Sequence, residues 1–156
     1  MNGWASIRDS IPLEMTSSGQ DSPWATLALA AIMAVIATAA SLGAVYYMQQ
    51  AAGRDFEAAR RLVGGDPEKG LTAMKRYGCA ACHTIPGLAG ARGMVGPTLA
   101  GFSTRPLMPD GMQKTPELVI QWIVNPIGVD PKATMPAVGV TETDARDIAT
   151  YLFALK

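Results

Sequence analysis

Both cysteines and the only histidine of this chain sit together, in the run Cys79-Ala80-Ala81-Cys82-His83. One helical turn brings two thiols separated by two residues to the same side of the chain, and the next residue can swing its imidazole under the same face. That spacing suits covalent attachment of a porphyrin. The Cys79 and Cys82 thiols add to the vinyl groups of a c-type haem, and His83 binds its iron. Cofactor loss is then no longer a competing process. A structural zinc site needs four ligands, and the sequence holds no further Cys or His to complete one. A thioredoxin-like pair needs a βαβ setting, and no alternating β-branched run precedes Cys79. A disulfide closing so short a loop would constrain little of the unfolded chain.

The elements around the motif are punctuated by capping residues. Asp66 can cap a helix with Pro67 at its first position and Glu68 at its positive end. Leu71 and Met74 then share a face, and Gly78 can stop the helix just before Cys79. A Gly- and Pro-rich stretch follows the motif. A second helix begins at Thr115-Pro116-Glu117, places Leu118/Trp122 and Val119/Ile123 four apart, and ends at Asn125-Pro126. The last helix opens with Thr141-Glu142-Thr143-Asp144, a capping-box-like start with Asp in place of the usual Glu. It continues through Ala145, Ile148, Leu152 and Leu155 at helical spacing. No strand pattern appears, so the expected fold class is all-α. A domain of about 90 residues buries little surface alone, and an apolar macrocycle would fill its centre.

The 156 residues carry 13 basic and 13 acidic side chains, and no basic tract argues for nucleic-acid binding. From Ser22 to Gly53 no residue is charged. The stretch Ala25 to Met48 exceeds the run of about 20 helical residues that crosses a hydrocarbon slab. Trp24 lies at one end, and Tyr46 and Tyr47 lie at the other, where interfacial aromatics belong. A signal peptide has a shorter apolar region, about 7–15 residues, after a basic start. Here Arg8 is outweighed by Asp9, Glu14 and Asp21, so an uncleaved anchor is expected, although Ala51-Ala52-Gly53 offers a small-x-small frame. The expected organisation is a polar tail (1–22), a transmembrane anchor helix (23–48), a helical stalk or linker ending at Gly64-Gly65 (49–65) and a haem domain (66–156). Arg54, Arg60 and Arg61 follow the anchor, and by the positive-inside rule they would put the C-terminal side in the cytoplasm.

Over residues 66–156 the chain resembles a class I cytochrome c. Cys79, Cys82 and His83 match the attachment motif, and Gly96-Pro97-Thr98-Leu99 resembles the family's G-P-x-L segment. The resemblance implies that the Pro97 carbonyl accepts a hydrogen bond from the His83 imidazole, which fixes the ring and raises its basicity. Met135-Pro136 resembles the distal ligand loop and implies Met135 as the second axial ligand. Met108 and Met112 remain alternatives, whereas Met94 is too close to the proximal segment. Gly70 and Tyr151 resemble the family's close helix crossing, in which glycine admits an aromatic ring. Trp122 resembles the tryptophan that packs near the haem propionates. Met74 departs from the pattern, since an aromatic is more usual there, and methionine fills such gaps well.

The resemblance implies one covalently bound haem c and a location outside the cytoplasmic membrane, opposite to the charge rule. A thioether ligand favours ferrous iron and raises the potential. With both axial positions filled, outer-sphere electron transfer is expected, and no catalytic residue is assigned. The expected protein is a bacterial inner-membrane, single-pass cytochrome with its haem domain on the periplasmic side. It would carry electrons between a quinol–cytochrome c reductase and a haem-copper terminal oxidase, or serve as a subunit of either. The alternative is a haem enzyme or ligand sensor with a labile distal ligand. Lys69, Lys75, Arg76, Arg92 and Arg105 surround the motif without an acid between Glu68 and Asp110, so a partner with an acidic patch is expected.

Overall fold

Ser22 starts the first helix through its carbonyl, which accepts from the amides of Ala25 and Thr26 at 2.8 and 3.4 Å. With no proline to stop it, this helix, α1, runs unbroken through Pro23–Val63. The computed structural model describes residues 22–108 and 111–156; residues 1–21 of the expected tail lie outside the described residues. By contacts the chain divides into two units between Gly43 and Ala44. In the helical part of the first, from Pro23 on, the side chains are exposed, and hydroxyls are satisfied within the helix, as where Thr38 and Ser41 donate to the carbonyls of Val35 and Ala37. An 18-residue window of α1 reaches a mean hydropathy of 2.2 with none of it buried. By length and composition this helix can cross a membrane.

The second unit takes in the last turns of α1. Ala59 and Val63 are buried, and the Phe56 ring lies 5.9 Å from that of Tyr151. Asp55 pairs with Lys156 at 2.5 Å. The stalk or linker expected over 49–65 is helical up to Val63. Its second half is an amphipathic helix whose Phe56, Ala59 and Val63, spaced three and four apart, pack into the haem domain.

Helix α2 (Pro67–Arg76) starts as its sequence dictates, with the Asp66 carboxylate accepting from the amides of Glu68 and Lys69. Its buried face is Gly70, Ala73 and Met74. Helix α3 (Pro116–Val124) is capped by Thr115. Asn125 ends α3 and also caps a single-turn helix, α4 (Pro126–Val129), that the Asn-Pro pair does not announce. Helix α5 (Glu142–Ala154) buries Ala145, Ile148, Ala149 and Leu152 at the centre. Among the described residues there are no strands, only isolated bridges at Thr84–Arg92 and Leu107–Gln113.

The closest approach in the domain is α2 on α5. A Cβ at Gly70 would collide with the Asp147 carbonyl oxygen, and its next neighbours are also backbone atoms of α5. Gly70 thus sits at a close crossing with α5, as expected, and the atoms nearest to it are the α5 backbone at Asp147 and Ile148, one turn before Tyr151. Tyr151 instead donates to the Pro86 carbonyl at 2.7 Å, with Gly87 beneath its hydroxyl and Phe56 against its ring. The crossing is pinned at both ends. The amides of Gly65 and Asp66 donate to Thr150 Oγ1 and Asp147 Oδ1 at 3.1 and 2.7 Å. At the other end, Asp144 accepts from Tyr77 Oη at 2.8 Å, Thr141 Oγ1 at 2.8 Å and Arg76 at 2.7 Å.

Two outcomes follow from this crossing. Gly70→Ala gains roughly 1 kcal/mol of helix propensity but forces a methyl against fixed backbone, where overpacking costs roughly 1–3 kcal/mol. A lower Tm in calorimetry is expected. Asp144 is held below its ordinary value of 3.8, first by the Tyr77 hydroxyl, then by Thr141 and Arg76, against the opposing effect of burial. Its contribution is full above the unfolded value and is lost as pH falls through the lower folded one. Asp144→Asn is therefore less stable than the parent at pH 7, with the gap closing below about pH 4. Urea midpoints measured from pH 3 to 7 check this, and a constant gap would contradict it.

Candidate functional site

The motif lies on a tight turn that the end of α2 delivers. Gly78 adopts φ 72°, in the left-handed region that favours glycine, and the chain enters a 3-10 turn at Cys79–Ala81. The amides of Cys82 and His83 both donate to the Cys79 carbonyl, at 3.2 and 3.0 Å. Both thiols are free and half-buried. Burial pushes the Cys79 thiol up, which keeps it neutral, and thioether formation places no charge in that apolar setting.

Residues 93–99 are strapped to this turn. Gly96 N donates to Cys82 O at 2.8 Å, Leu99 N to Thr84 O at 2.9 Å and Thr84 Oγ1 to Gly93 O at 3.0 Å. His83 Nδ1 donates to the Pro97 carbonyl at 2.7 Å. A carbonyl can only accept, so the proton is on Nδ1 and Nε2 keeps its lone pair for a metal. Gly96 makes room for the ring, because a Cβ there would collide with His83 Cε1.

Cys79, His83, Pro97 and Met135 all line one cavity of about 220 Å³, walled by α2, α3, α5 and the loops between them. Cys82 is not in the wall, although it shares the turn. Met108 also lines this cavity and is 7% exposed, whereas Met94 is 91% exposed and outside it. Met112 packs against the core and is not in the wall. Met74 and Trp122 both line it, as do Leu99, Val119 and Leu152. An open groove of about 460 Å³ between α3, α4 and the start of α5 contains none of the expected residues.

The wall is suited to a haem. Among the described residues, no cluster of three His, Cys, Asp or Glu could hold a bare metal ion. One imidazole and one thioether can instead serve iron that arrives in a macrocycle, and the remaining wall is apolar enough to pack its faces. Sequence reasoning missed the two charged residues of the wall. Lys114 had no motif, and Arg105 was counted only as a surface charge. The basic face is also smaller than expected, since Arg76 is paired with Asp144, whereas Arg105 keeps its charge while binding the carbonyls of Thr98 and Ala100. Lys69, Lys75 and Arg92 remain exposed, with no ion pair among the described residues.

A family model, Cytochrome c, matches residues 67–156. The chain belongs to the cytochrome c family. No curated protein matches it. As a cytochrome c it binds haem c covalently, one for its single domain, and it is a haem electron carrier. The matched span begins at the first residue of α2 and ends at the last residue of the chain.

Gly96→Ala tests the strap. The added methyl displaces the imidazole from Pro97, so the haem-loaded variant should show a shifted visible spectrum and weaker proximal ligation. An unchanged spectrum would mean that the strap yields without moving His83.

Proposed function

We propose that the chain is a membrane-anchored carrier of single electrons, with haem attached through Cys79 and Cys82 and its iron held between His83 and Met135. The observation that carries this reading is the His83–Pro97 hydrogen bond in the wall of the cavity that Met135 also lines. The bound haem supplies a reversible one-electron couple. The chain's residues do the rest. Cys79 and Cys82 fix the macrocycle, and the Pro97 carbonyl holds His83 in one tautomer and makes Nε2 a stronger donor. Met135 favours the reduced state through its soft sulfur. The apolar wall excludes water, so the change of charge occurs in a medium that reorganises little. Because both axial positions are taken, the reading is an electron-transfer protein and not an enzyme acting at the iron.

The turn before Met135 supports its role. Asp130 accepts from the amides of Lys132 and Ala133, each at 2.9 Å, and Pro136 stiffens the following bond. Anchoring rests on α1, and an outward-facing haem domain rests on where the family's haem is attached, against the arginine count. In this reading the protein sits in the bacterial inner membrane with its haem domain in the periplasm. It passes electrons from a quinol–cytochrome c reductase to a haem-copper oxidase, or belongs to one of them. Proteins that co-purify in mild detergent distinguish carrier from subunit.

Met108 offers the second sulfur in the same wall, so paired variants decide the ligand. Met135→Ala should keep covalent haem, lose the far-red iron–sulfur band, lower the potential and bind cyanide faster. Met108→Ala should leave all four unchanged. The reverse pattern assigns the ligand to Met108, and His83→Ala should abolish the low-spin spectrum altogether.

A further inference from the structure

The cavity that receives the haem is apolar except along one edge. Among the described residues, the only charged side chains in its wall are Arg105 and Lys114, and both are cations. Lys114 Nζ donates to the carbonyls of Ser103, at 2.9 Å, and of Phe102. It also lies 4.9 Å from the Phe102 ring centroid and 5.6 Å from that of Phe153. An ammonium has three N–H donors, so these two carbonyls leave one unassigned. No ion pair among the described residues includes Lys114 or Arg105. Burial, with Arg105 adding like-charge repulsion, pushes the Lys114 ammonium down. Two cations at the rim of an apolar cavity, one of them desolvated, call for anions from whatever fills it.

A haem is apolar apart from its iron and two propionate carboxylates. We propose that Lys114 is a haem-binding residue whose ammonium pairs with a propionate and thereby raises the reduction potential. The inference rests on the haem reading above. Arg105 is already tethered to Thr98 at 2.5 Å and to Ala100, whereas Lys114 has one donor without a partner among the described residues. An unneutralised propionate in a low-dielectric site stabilises ferric iron, because its negative charge offsets the extra positive charge of the oxidised centre. Pairing the carboxylate with Lys114 removes that preference. It also favours the ionised propionate, keeping its titration below the neutral range. The other titratable groups in the wall are Cys79 and His83, both consumed by the haem, and Arg105, which stays charged throughout.

The test uses the full-length, haem-loaded protein in detergent, with Lys114→Gln, Lys114→Met and Lys114→Arg. Midpoint potentials are titrated from pH 5 to 9. Both neutral variants should shift the reduction equilibrium about tenfold toward ferric, which is 59 mV for one electron. They should also acquire a pH dependence between 5 and 8 from the released propionate, and Lys114→Arg should restore both properties. Neutral variants with the parent's potential and pH profile would overturn the proposal. Should neither neutral variant fold, the titrations of the parent and Lys114→Arg are carried to about pH 11, where the parent must show a fall in potential, as the paired lysine loses its proton, that Lys114→Arg lacks; identical alkaline profiles would overturn it. A parent chain without covalent haem in a pyridine haemochrome assay would instead sink the haem reading itself.

Discussion

Everything in the haem domain is hung on the contact between α2 and α5, where Gly70 lets one backbone touch another at Asp147. That contact sets the distance between Met74 on α2 and Ile148 and Leu152 on α5, which together form one side of the cavity. It also sets the place of Cys79, because α2 ends only a few residues before the attachment turn. The pins at Gly65, Asp66 and Asp144 keep the two helices from sliding. A polar cluster at each end and a bare backbone contact between them make the crossing both tight and directional.

The second constraint is local and chemical. Residues 82–84 and 93–99 are joined by four hydrogen bonds, and one of them is made by the imidazole. Ring orientation, tautomer and basicity are therefore properties of the backbone strap. The crossing decides where the turn lies, and the strap decides what the histidine on that turn can do. Neither substitutes for the other, since a correctly placed imidazole with a free ring could present either nitrogen.

Much of this was legible before any coordinate, and the reason is range. The attachment motif, the Asp66, Thr115 and Thr141 caps and the prolines at the heads of α2 and α3 act over a few residues. Their meaning survives in any all-α context. What the sequence hid was long-range. Asn125 has an unremarkable helix-stopping pattern, yet its side chain restarts a turn. Gly70 signals a close contact without naming the α5 backbone at Asp147 as its nearest partner. The turns around Phe56 and Val63 read as a helical stalk, and nothing local says that Tyr151, far along the chain, is there for Phe56 to cover. Lys114 carries no local signal, because its environment is built by Phe102, Ser103 and Phe153.

The charges lead to a further point about how so small a domain can handle a redox couple. Counting residues suggests a strongly basic collar around the motif, but the fold withdraws part of it. Arg76 is spent on Asp144, while Arg105 keeps its charge and is fixed at the cavity wall by the carbonyls of Thr98 and Ala100. The fold thus diverts charge from long-range steering to structure close to the cofactor, where low dielectric makes each charge count for more. Steering matters less if α1 anchors the chain, since tethering raises effective concentration without help from surface charge. Charge at the cavity rim has no such substitute, because no tether can adjust the balance between ferric and ferrous iron. A chain arranged this way gives up part of its collar at little cost to encounter while keeping control of the potential.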